Sequence, residues 1–486
     1  TTMTGCQGVN GGGWAHYVGQ EKVRPITGYS QYATAADWNR PPRQNIGTAF
    51  WYLASDQWRY DGLPASALAS PLARGQFEDR TTADCLVESV KRGWMPAYPT
   101  FSRNPLDLCD EAEAAGKEPA AHIVDSLTDG SLHYAVEDPD APENFPRVIS
   151  IWRANVLGSS GKGNEYFLKH LLGTDSAVRA PESPEGSRPR DMVWHENAPE
   201  GKLDLLMTAD FRMTSTTLFS DLVLPAATWY EKYDLSSTDM HPFIHAFTPA
   251  INPPWQTRTD FDLFGALAEK FSEYAAVHLG VRKDVVASPL QHDTPDVMAT
   301  PHGTVPEDAP LVPGVTMAKL IVVERDYPNL YERWKSLGPL TAKLGMTTKA
   351  ITYHPDREIE QLKQKNGVVQ SGPYTGSVLL DTDKKACEMI LAFSGTSNGR
   401  LAVQGFRELE KKTGQRIAQL AEDHEGSHIT FQDVQVQPRS VITSPEWSGA
   451  EHGGRRYTAF AINVEHLKPW HTLTGRQHFY LDHDWM

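Results

Sequence analysis

The strongest constraint on the fold is an alternation of apolar, strand-length runs with a glycine-rich turn and a helical stretch in residues 146–275. Residues 147–152 (RVISIW) predict a buried strand, and a glycine-rich loop at 158–163 separates it from an amphipathic helix, residues 165–172, that Gly173 closes. Further strands are predicted at 203–208 and 222–225. This order favours an α/β fold with a doubly wound, mostly parallel sheet.

Four further segments surround this core. Residues 1–60 are rich in glycine and aromatic residues, and 61–145 are an insertion with a helical stretch at 85–92. Residues 276–465 are a linker followed by a mixed α/β region, and 466–486 are extended. Neither end has the polar tail that is usual at domain termini, so we interpret both as cuts and expect an internal fragment with large mixed insertions.

Composition excludes several classes of protein. The 46 basic and 61 acidic residues give a net charge of −15, which would repel a nucleic-acid backbone. The 4 cysteines form no C-x₂-C pair, so no zinc ribbon and no iron–sulfur ligand set is predicted. Apolar runs are only strand-length, and a membrane span needs about 18–20 apolar residues, so none is expected.

The glycine-rich loop at 158–163 is the first candidate binding site. Free backbone amides and the start of the next helix would point at the same place, which favours an anion. The spacing differs from G-x-x-x-x-G-K-[ST], so a nucleoside triphosphatase is disfavoured, but Lys162 could meet a pyrophosphate as a point charge. A surface turn with a solvated lysine is an equal alternative.

Acidic and hydroxyl side chains follow the second predicted strand. Asp210, Thr214 and Thr216 suit recognition of a purine or ribose, because ligands of α/β sheets lie beyond the carboxyl ends of the strands. A carboxylate can accept two hydrogen bonds from a guanine edge. The alternative is that the two threonines cap a helix and that Asp221 caps its neighbour.

Two outer stretches also carry polar and flat side chains. Residues 5–22 combine glycines with aromatic residues, which indicates close approach to a flat ligand or, alternatively, an Ω-loop. Residues 471–483 hold three histidines, but their spacing on an extended chain does not face one point, so we reject a metal site. Arg476, His478 and His483 are expected instead to donate hydrogen bonds to a polar heterocycle.

Together, these stretches resemble the molybdenum bis(molybdopterin guanine dinucleotide) enzymes of the dimethyl sulfoxide reductase superfamily, and most closely the alpha subunits of respiratory nitrate reductases. The resemblance spans residues 3–486, and the spacing of Asp210, Thr214, Thr216, Asp221 and Pro225 fits the wider superfamily. The matching runs are GCQGVNGGGWAHYVGQEK at 5–22, DWNRPPR at 37–43, LGSSGKG at 157–163, WYEKYD at 229–234, TDMHPF at 238–243 and LTGRQHF at 473–479.

The resemblance implies reduction of nitrate to nitrite at a molybdenum bis(molybdopterin guanine dinucleotide) centre. Electrons would come from quinol through a membrane cytochrome b gamma subunit and an iron–sulfur beta subunit, at the cytoplasmic face of the bacterial cell membrane. The family's molybdenum ligand and the ligands of its [4Fe-4S] cluster match no residue here, so no catalytic or metal-binding residue is assigned. The resemblance also makes 146–275 the middle domain of such a subunit and 466–486 the truncated start of its carboxy-terminal cap domain.

The resemblance assigns cofactor contacts to four stretches. They are His16, Tyr17, Gly19, Gln20, Asn155, Ser159, Ser160, Lys162, Gly163, Asp210, Thr214, Thr216, Thr474, Gly475, Arg476, His478 and His483. One alternative is a sibling enzyme that acts on selenate, perchlorate or a hydrocarbon, and a second is a scaffold module without activity. A third, an unrelated dinucleotide-binding dehydrogenase, is disfavoured because no G-x-G-x-x-G follows the first strand.

Overall fold

A computed structural model gives the fold of most of the chain. It describes residues 52–62, 64–67, 78–93, 97–158, 164–175, 179–238, 241–288, 290, 309–348, 351–414, 416, 418–442, 451–452 and 455–456. The described residues form two compact units. The sheet unit comprises those up to Pro225 together with Val281–Arg325, and the hairpin unit comprises Ala226–Gly280 and those from Asp326 onward.

Helices occur in both units. In chain order they are α1 Thr82–Lys91, α2 Pro105–Ala114, α3 Pro119–Asp129, α4 Asn164–Tyr166, α5 Ser215–Leu218, α6 Asp260–His278, α7 Leu330–Trp334, α8 Pro339–Leu344, α9 Asp356–Asn366, α10 Asp383–Ala392, α11 Gly399–Thr413 and α12 Phe431–Val436. The π-helical turn Phe167–Leu171 directly follows α4.

Strands are short. They are β1 Val148–Trp152, β2 Leu205–Asp210, β3 Leu222–Pro225, β4 Asp234–Thr238, β5 His241–Phe247, β6 Val281–Ser288, β7 Lys319–Asp326, β8 Met346–Thr348, β9 Ile351–Tyr353, β10 Arg439–Ser440, β11 Glu451–His452 and β12 Arg455–Arg456.

A parallel sheet with the order β1-β2-β3 lies in the sheet unit. Because connections between parallel strands are right-handed, two successive steps in one direction place both connections on the same face. A doubly wound sheet needs a reversal of strand order, and these three described strands contain none. The parallel sheet is confirmed, and its doubly wound arrangement stays a prediction.

One face of this sheet is packed. Ile151 and Leu206 lie in a buried apolar cluster with Phe167 and Leu171 of the π turn. The helix predicted at 165–172 is therefore one α turn followed by a π turn, and Gly173 ends it with φ +66°. The π turn buries Phe167, His170 and Leu171, which are spaced i, i+3 and i+4 as on one face of an α-helix, so the pattern predicts the buried face but not the π geometry.

Three sequence expectations are corrected. β2 begins and ends two residues later than predicted, because the Arg147 carbonyl accepts the amides of both Asp204 and Leu205 before regular pairing starts. Parallel pairing also ends at Pro225, since β4 and β5 form an antiparallel hairpin that β10 extends in the hairpin unit. The predicted linker from residue 276 begins instead with the last turn of α6 and with β6, whose Val285, Val286 and Ala287 are buried.

The remaining described part of the sheet unit packs α1, α2 and α3 around a second core. Thr81 caps α1 through a reciprocal pair of hydrogen bonds with Asp84, which satisfies amides at the start of the helix. Trp58, Leu108 and Ile123 are fully buried in this core. In the hairpin unit, α9 to α12 surround three further apolar clusters that include Phe393 and Phe431.

Candidate functional site at the carboxyl edge of the parallel sheet

The candidate site lies where the three parallel strands end. β1 leads into a turn that contains Asn155 and Gly158, and β2 ends at Asp210, close to the start of α5. Register places Asp210 beside Pro225, the last residue of β3. Carboxyl ends of parallel strands share one edge of a sheet, so the structure brings Asn155 to the same edge as Asp210 and α5.

Asn155 is the central hydrogen-bond acceptor of this edge. Its side-chain Oδ1 accepts from the Gly158 amide at 2.9 Å, from Ser215 Oγ at 3.1 Å and from Thr216 Oγ1 at 3.0 Å. The Leu157 amide donates to Thr216 Oγ1 at 3.1 Å. Thr216 is fully buried. These hydrogen bonds connect the turn after β1 to the first turn of α5. The side chains of Asn155 and Thr216 therefore form their hydrogen bonds with other groups of the protein.

Thr214 has a separate role as the N-cap of α5. The Thr217 amide donates to Thr214 Oγ1 at 3.2 Å, and the Thr214 amide donates to Thr217 Oγ1 at 2.6 Å. This is a capping box with threonine at both positions. The observed contacts of Thr214 are therefore those of a helix cap, as in the alternative given above.

Asp210 is half-buried at the end of β2. Its Oδ1 accepts from the Arg212 amide at 3.1 Å, and the described part of the chain offers its Oδ2 no hydrogen-bond partner. Phe211 lies near two guanidinium groups, with Arg153 at 5.2 Å and Arg212 at 4.8 Å from the ring centroid. The sequence analysis did not single out Arg153, although an arginine directly after a buried strand was a visible signal.

Gly158 is the point of closest approach in the turn. A Cβ at this position would lie 2.1 Å from Asn155 Nδ2 and 2.5 Å from Ser215 Oγ. Only glycine lets the backbone pass this close to α5 without displacing Asn155. The next five residues, which include Ser159, Ser160, Lys162 and Gly163, lie outside the described residues.

A buried cluster of ion pairs holds the π turn that follows this loop. Lys202 Nζ lies 2.6 Å from Asp56 Oδ1 and 2.5 Å from Asp140 Oδ1, and all three side chains are fully buried. Arg59 lies 3.1 Å from Asp140 and 3.0 Å from Glu182. Its guanidinium also stacks on Trp194 at 4.2 Å. The cluster thus joins segments that are more than a hundred residues apart.

His170 connects the π turn to that cluster. Its Nε2 lies 2.9 Å from the Tyr60 hydroxyl, and its Nδ1 lies 2.9 Å from the Pro199 carbonyl. Burial lowers the pKa of His170 to about 4, so the ring is neutral. A neutral ring donates from Nδ1 to the carbonyl and accepts at Nε2 from the hydroxyl.

The pKa values of the two buried aspartates of this cluster are shifted in opposite directions. Burial, together with the nearby Asp140 and despite Lys202, raises the pKa of the Asp56 carboxyl well above its usual range. Burial alone would also raise the pKa of Asp140, but Lys202 and Arg59 hold it below its usual range. Lys202 and Arg59 both contact Asp140, and Arg59 also contacts Glu182. The sequence analysis placed Asp140 in the insertion 61–145 and singled out none of the residues of this cluster.

The other predicted cofactor contacts lie outside the described residues. These are His16, Tyr17, Gly19, Gln20, Thr474, Gly475, Arg476, His478 and His483. They stay predictions, as do the Ω-loop alternative and the cap segment. Among the described helices, none is both long and apolar enough to cross a membrane.

Two family profiles match the chain. The profile of the molybdopterin oxidoreductases matches residues 1–270. The profile of domain V of the nitrate reductase alpha chain matches residues 344–465. The first profile covers the α/β core up to residue 270, and the second covers α9 to α12.

Individual relatives are similar over essentially the whole chain. A nitrate reductase alpha subunit of Mycobacterium tuberculosis (strain CDC 1551 / Oshkosh) is 58% identical over 100% of this chain. The nitrate reductase alpha chain of Bacillus subtilis (strain 168) is 48% identical over 100% of it. The respiratory nitrate reductase 2 alpha chain of Escherichia coli (strain K12) is 46% identical over 99% of it. The chain spans 40%, 40% and 39% of the lengths of these relatives, respectively.

Proposed function

Because the chain belongs to the molybdopterin oxidoreductase family, we propose that it is part of the catalytic subunit of a respiratory nitrate reductase. In the proposed reaction nitrate gains two electrons and two protons and yields nitrite and water. The bound molybdenum–pterin group supplies the two-electron redox chemistry. The observation that carries the substrate is the 46–58% identity to nitrate reductase alpha chains over the whole chain.

The carboxyl edge of β1–β3 is the proposed site for one guanine dinucleotide of the cofactor. The half-buried Asp210 has a carboxylate oxygen without a partner among the described residues, which suits the donors of a guanine edge. The turn at Gly158 has no room for a side chain and brings backbone close to the start of α5. These features fit a flat, anionic dinucleotide.

The residues at this edge have two proposed roles, cofactor binding and positioning. Asp210 and the backbone of the loop after Gly158 bind the dinucleotide, and Lys162 offers a charge to its phosphates. Asn155 and Thr216 are positioning residues, because their hydrogen bonds hold the loop against α5. His16, Tyr17, Gly19 and Gln20 and the residues 474–483 are proposed to contact the pterin side of the cofactor.

The assembly in which this activity takes place is proposed from the same resemblance. The complete subunit would accept electrons from quinol through an iron–sulfur beta subunit and a cytochrome b gamma subunit, at the cytoplasmic face of the membrane. Its [4Fe-4S] cluster would be ligated outside these 486 residues.

The family's molybdenum ligand matches no residue of this chain. The 486-residue chain alone would therefore bind no stoichiometric molybdenum and reduce no nitrate. Elemental analysis of the purified chain tests this, and one molybdenum per chain would contradict it.

Asp210→Asn in the complete subunit tests the site. Loss of a charge-assisted hydrogen bond to guanine costs about 1.5–3 kcal/mol, which weakens binding roughly ten- to hundredfold. We expect less molybdenum and less GMP released per polypeptide on acid hydrolysis. Asp204→Asn is the matched control, since this carboxylate lies just before β2 at the other end of the strand and pairs with Arg147 on the surface. Normal molybdenum and GMP in Asp210→Asn would refute the assignment.

Nitrate reduction with an artificial electron donor is measured on the same preparations. Activity should fall in proportion to molybdenum content, because Asp210 is assigned to cofactor binding and not to the reacting centre. A preparation with full molybdenum and perchlorate or selenate turnover but no nitrate turnover would favour a sibling enzyme of the family.

A further inference from the structure

Arg153 has a backbone conformation that favours glycine, and it lies at the edge of the sheet that holds the candidate site. Its φ is +52°, and among the described residues other than glycine only Asp56 and Trp255 also have positive φ values. A side chain with a Cβ makes the left-handed conformation costly, and asparagine and aspartate tolerate it better than other residues do. Arginine therefore has a cost at this position that glycine would avoid.

The backbone contacts of Arg153 do not require an arginine. Its amide donates to the Ala209 carbonyl at 2.9 Å and so continues the pairing of β1 with β2 by one residue. Glycine has the same amide and could make the same hydrogen bond. Strained backbone positions are concentrated at functional sites, where the surrounding structure maintains them. The contribution of this position therefore lies in its side chain.

The guanidinium of Arg153 lies beside the residues that follow β2. It is 5.2 Å from the centroid of the Phe211 ring, and the guanidinium of Arg212 is 4.8 Å from the same centroid. Asp210 directly precedes this ring, and its Oδ1 accepts from the Arg212 amide. Two cations and one carboxylate are thus together at this edge, and their sum is positive in a chain of net charge −15.

We propose that Arg153 binds the diphosphate of the dinucleotide, an inference that rests on the dinucleotide site proposed above. The guanidinium matches two phosphate oxygens at once, and such charge-assisted pairs are among the strongest hydrogen bonds of side chains. A cation beside Asp210 offsets the repulsion between this carboxylate and the phosphates of the same ligand. The Phe211 ring supports the guanidinium through a cation–π contact. Arg153 is thus a second cation for the phosphates, in addition to Lys162.

Variants at position 153 of the complete subunit separate the charge from the backbone strain. Arg153→Lys keeps both, Arg153→Gln keeps only the strain, and Arg153→Gly removes both. Molybdenum and GMP per polypeptide should be lower in Arg153→Gln and Arg153→Gly than in Arg153→Lys. Cofactor release on prolonged incubation, followed by pterin fluorescence, should be about tenfold faster or more for Arg153→Gln than for wild type, because one charge-assisted contact is lost.

Trp255→Gly is the matched control for the relief of backbone strain. Trp255 has a φ of +51°, is 96% exposed and lies in the hairpin unit. Both glycine variants remove a side chain from a left-handed position, so the Tm of the cofactor-free subunit should be at or above the wild-type value in each. Molybdenum and GMP should fall in Arg153→Gly and stay at the wild-type level in Trp255→Gly.

Two results would overturn the role of Arg153. One is a wild-type content of molybdenum and GMP in Arg153→Gln. The other is a clear fall in the Tm of the cofactor-free subunit in Arg153→Gly, because the side chain would then stabilise the fold itself. Asp210→Asn separates this inference from the site on which it rests. If Asp210→Asn lowers both contents and Arg153→Gln lowers neither, only the role of Arg153 is wrong; if neither variant lowers them, the dinucleotide site is wrong as well.

Discussion

Thr216→Val tests whether the buried hydroxyl at the sheet edge positions the loop or binds a ligand. Valine keeps the branched shape and removes Oγ1, which accepts from the Leu157 amide and donates to Asn155. Asn155 keeps its bonds to Gly158 and Ser215, whereas the Leu157 amide loses its partner in a buried place. An unsatisfied buried donor costs about 1–3 kcal/mol, so we expect a loss of about 2 kcal/mol.

The assay compares the subunit with and without cofactor. A domain of about 150–250 residues loses roughly 2–4 °C of Tm for each kcal/mol, so Thr216→Val should lower Tm by roughly 4–8 °C. A positioning role predicts this loss in both forms, because the bonds lie within the protein. Thr216→Ser restores the hydroxyl and should recover most of the stability and the molybdenum content.

A particular pattern would refute this reasoning. If Thr216→Val leaves the Tm of the cofactor-free subunit unchanged but lowers molybdenum retention, the hydroxyl contacts the cofactor directly. If the serine variant fails to restore retention, the methyl group rather than the hydroxyl matters at this position.

Two further predictions concern the buried ion cluster. Lys202→Met removes the ammonium shared by two buried carboxylates and should lower the free energy of unfolding by about 3–5 kcal/mol, measured by urea denaturation at neutral pH; an unchanged midpoint would contradict the buried pairing. The pKa of His170 is about 4 in the folded protein against 6.5 for an unperturbed histidine, so the unfolded chain takes up the proton first as pH falls. That contribution to stability, about 3 kcal/mol, is complete above about pH 6.5 and is lost as pH falls towards 4. His170→Gln should flatten the stability profile over this window, and a profile identical to wild type would contradict the assignment.

The sequence predicted the strands of the parallel sheet because each is a local apolar run. Residues 147–152 and 222–225 were placed within one residue of their observed positions. The π turn was not predictable, because its geometry depends on contacts of His170 with Tyr60 and the Pro199 carbonyl. These partners are distant in sequence. The spacing i, i+3 and i+4 of the buried residues fits one α turn as well as one π turn.

The sequence placed Asn155, Asp210 and Thr216 after neighbouring strands, but the hydrogen bonds that these side chains make were not visible in it. Asn155 and Thr216 stand 61 positions apart, and their hydrogen bond exists only because β1 and β2 are neighbours. The sequence did not predict the ion cluster, for the same reason. Asp140 occurs in an acidic stretch typical of a surface loop, and Lys202 is an isolated charge whose partners lie in other segments. Aromatic neighbours on both sides of Arg59 were the one local signal of a buried cation.

Hydrogen-bond capacity separates binding from positioning at this edge. A carboxamide oxygen has two lone pairs, and Oδ1 of Asn155 already accepts from three donors, so it has no capacity left for a ligand. Asp210 uses one oxygen for the Arg212 amide and keeps the other. In the proposed binding mode, a carboxylate and backbone amides would therefore recognise the dinucleotide, and the hydroxyls and the carboxamide would hold the turn in place. This division explains why the loop needs glycine at 158, where any side chain would separate the parts that the hydrogen bonds keep together.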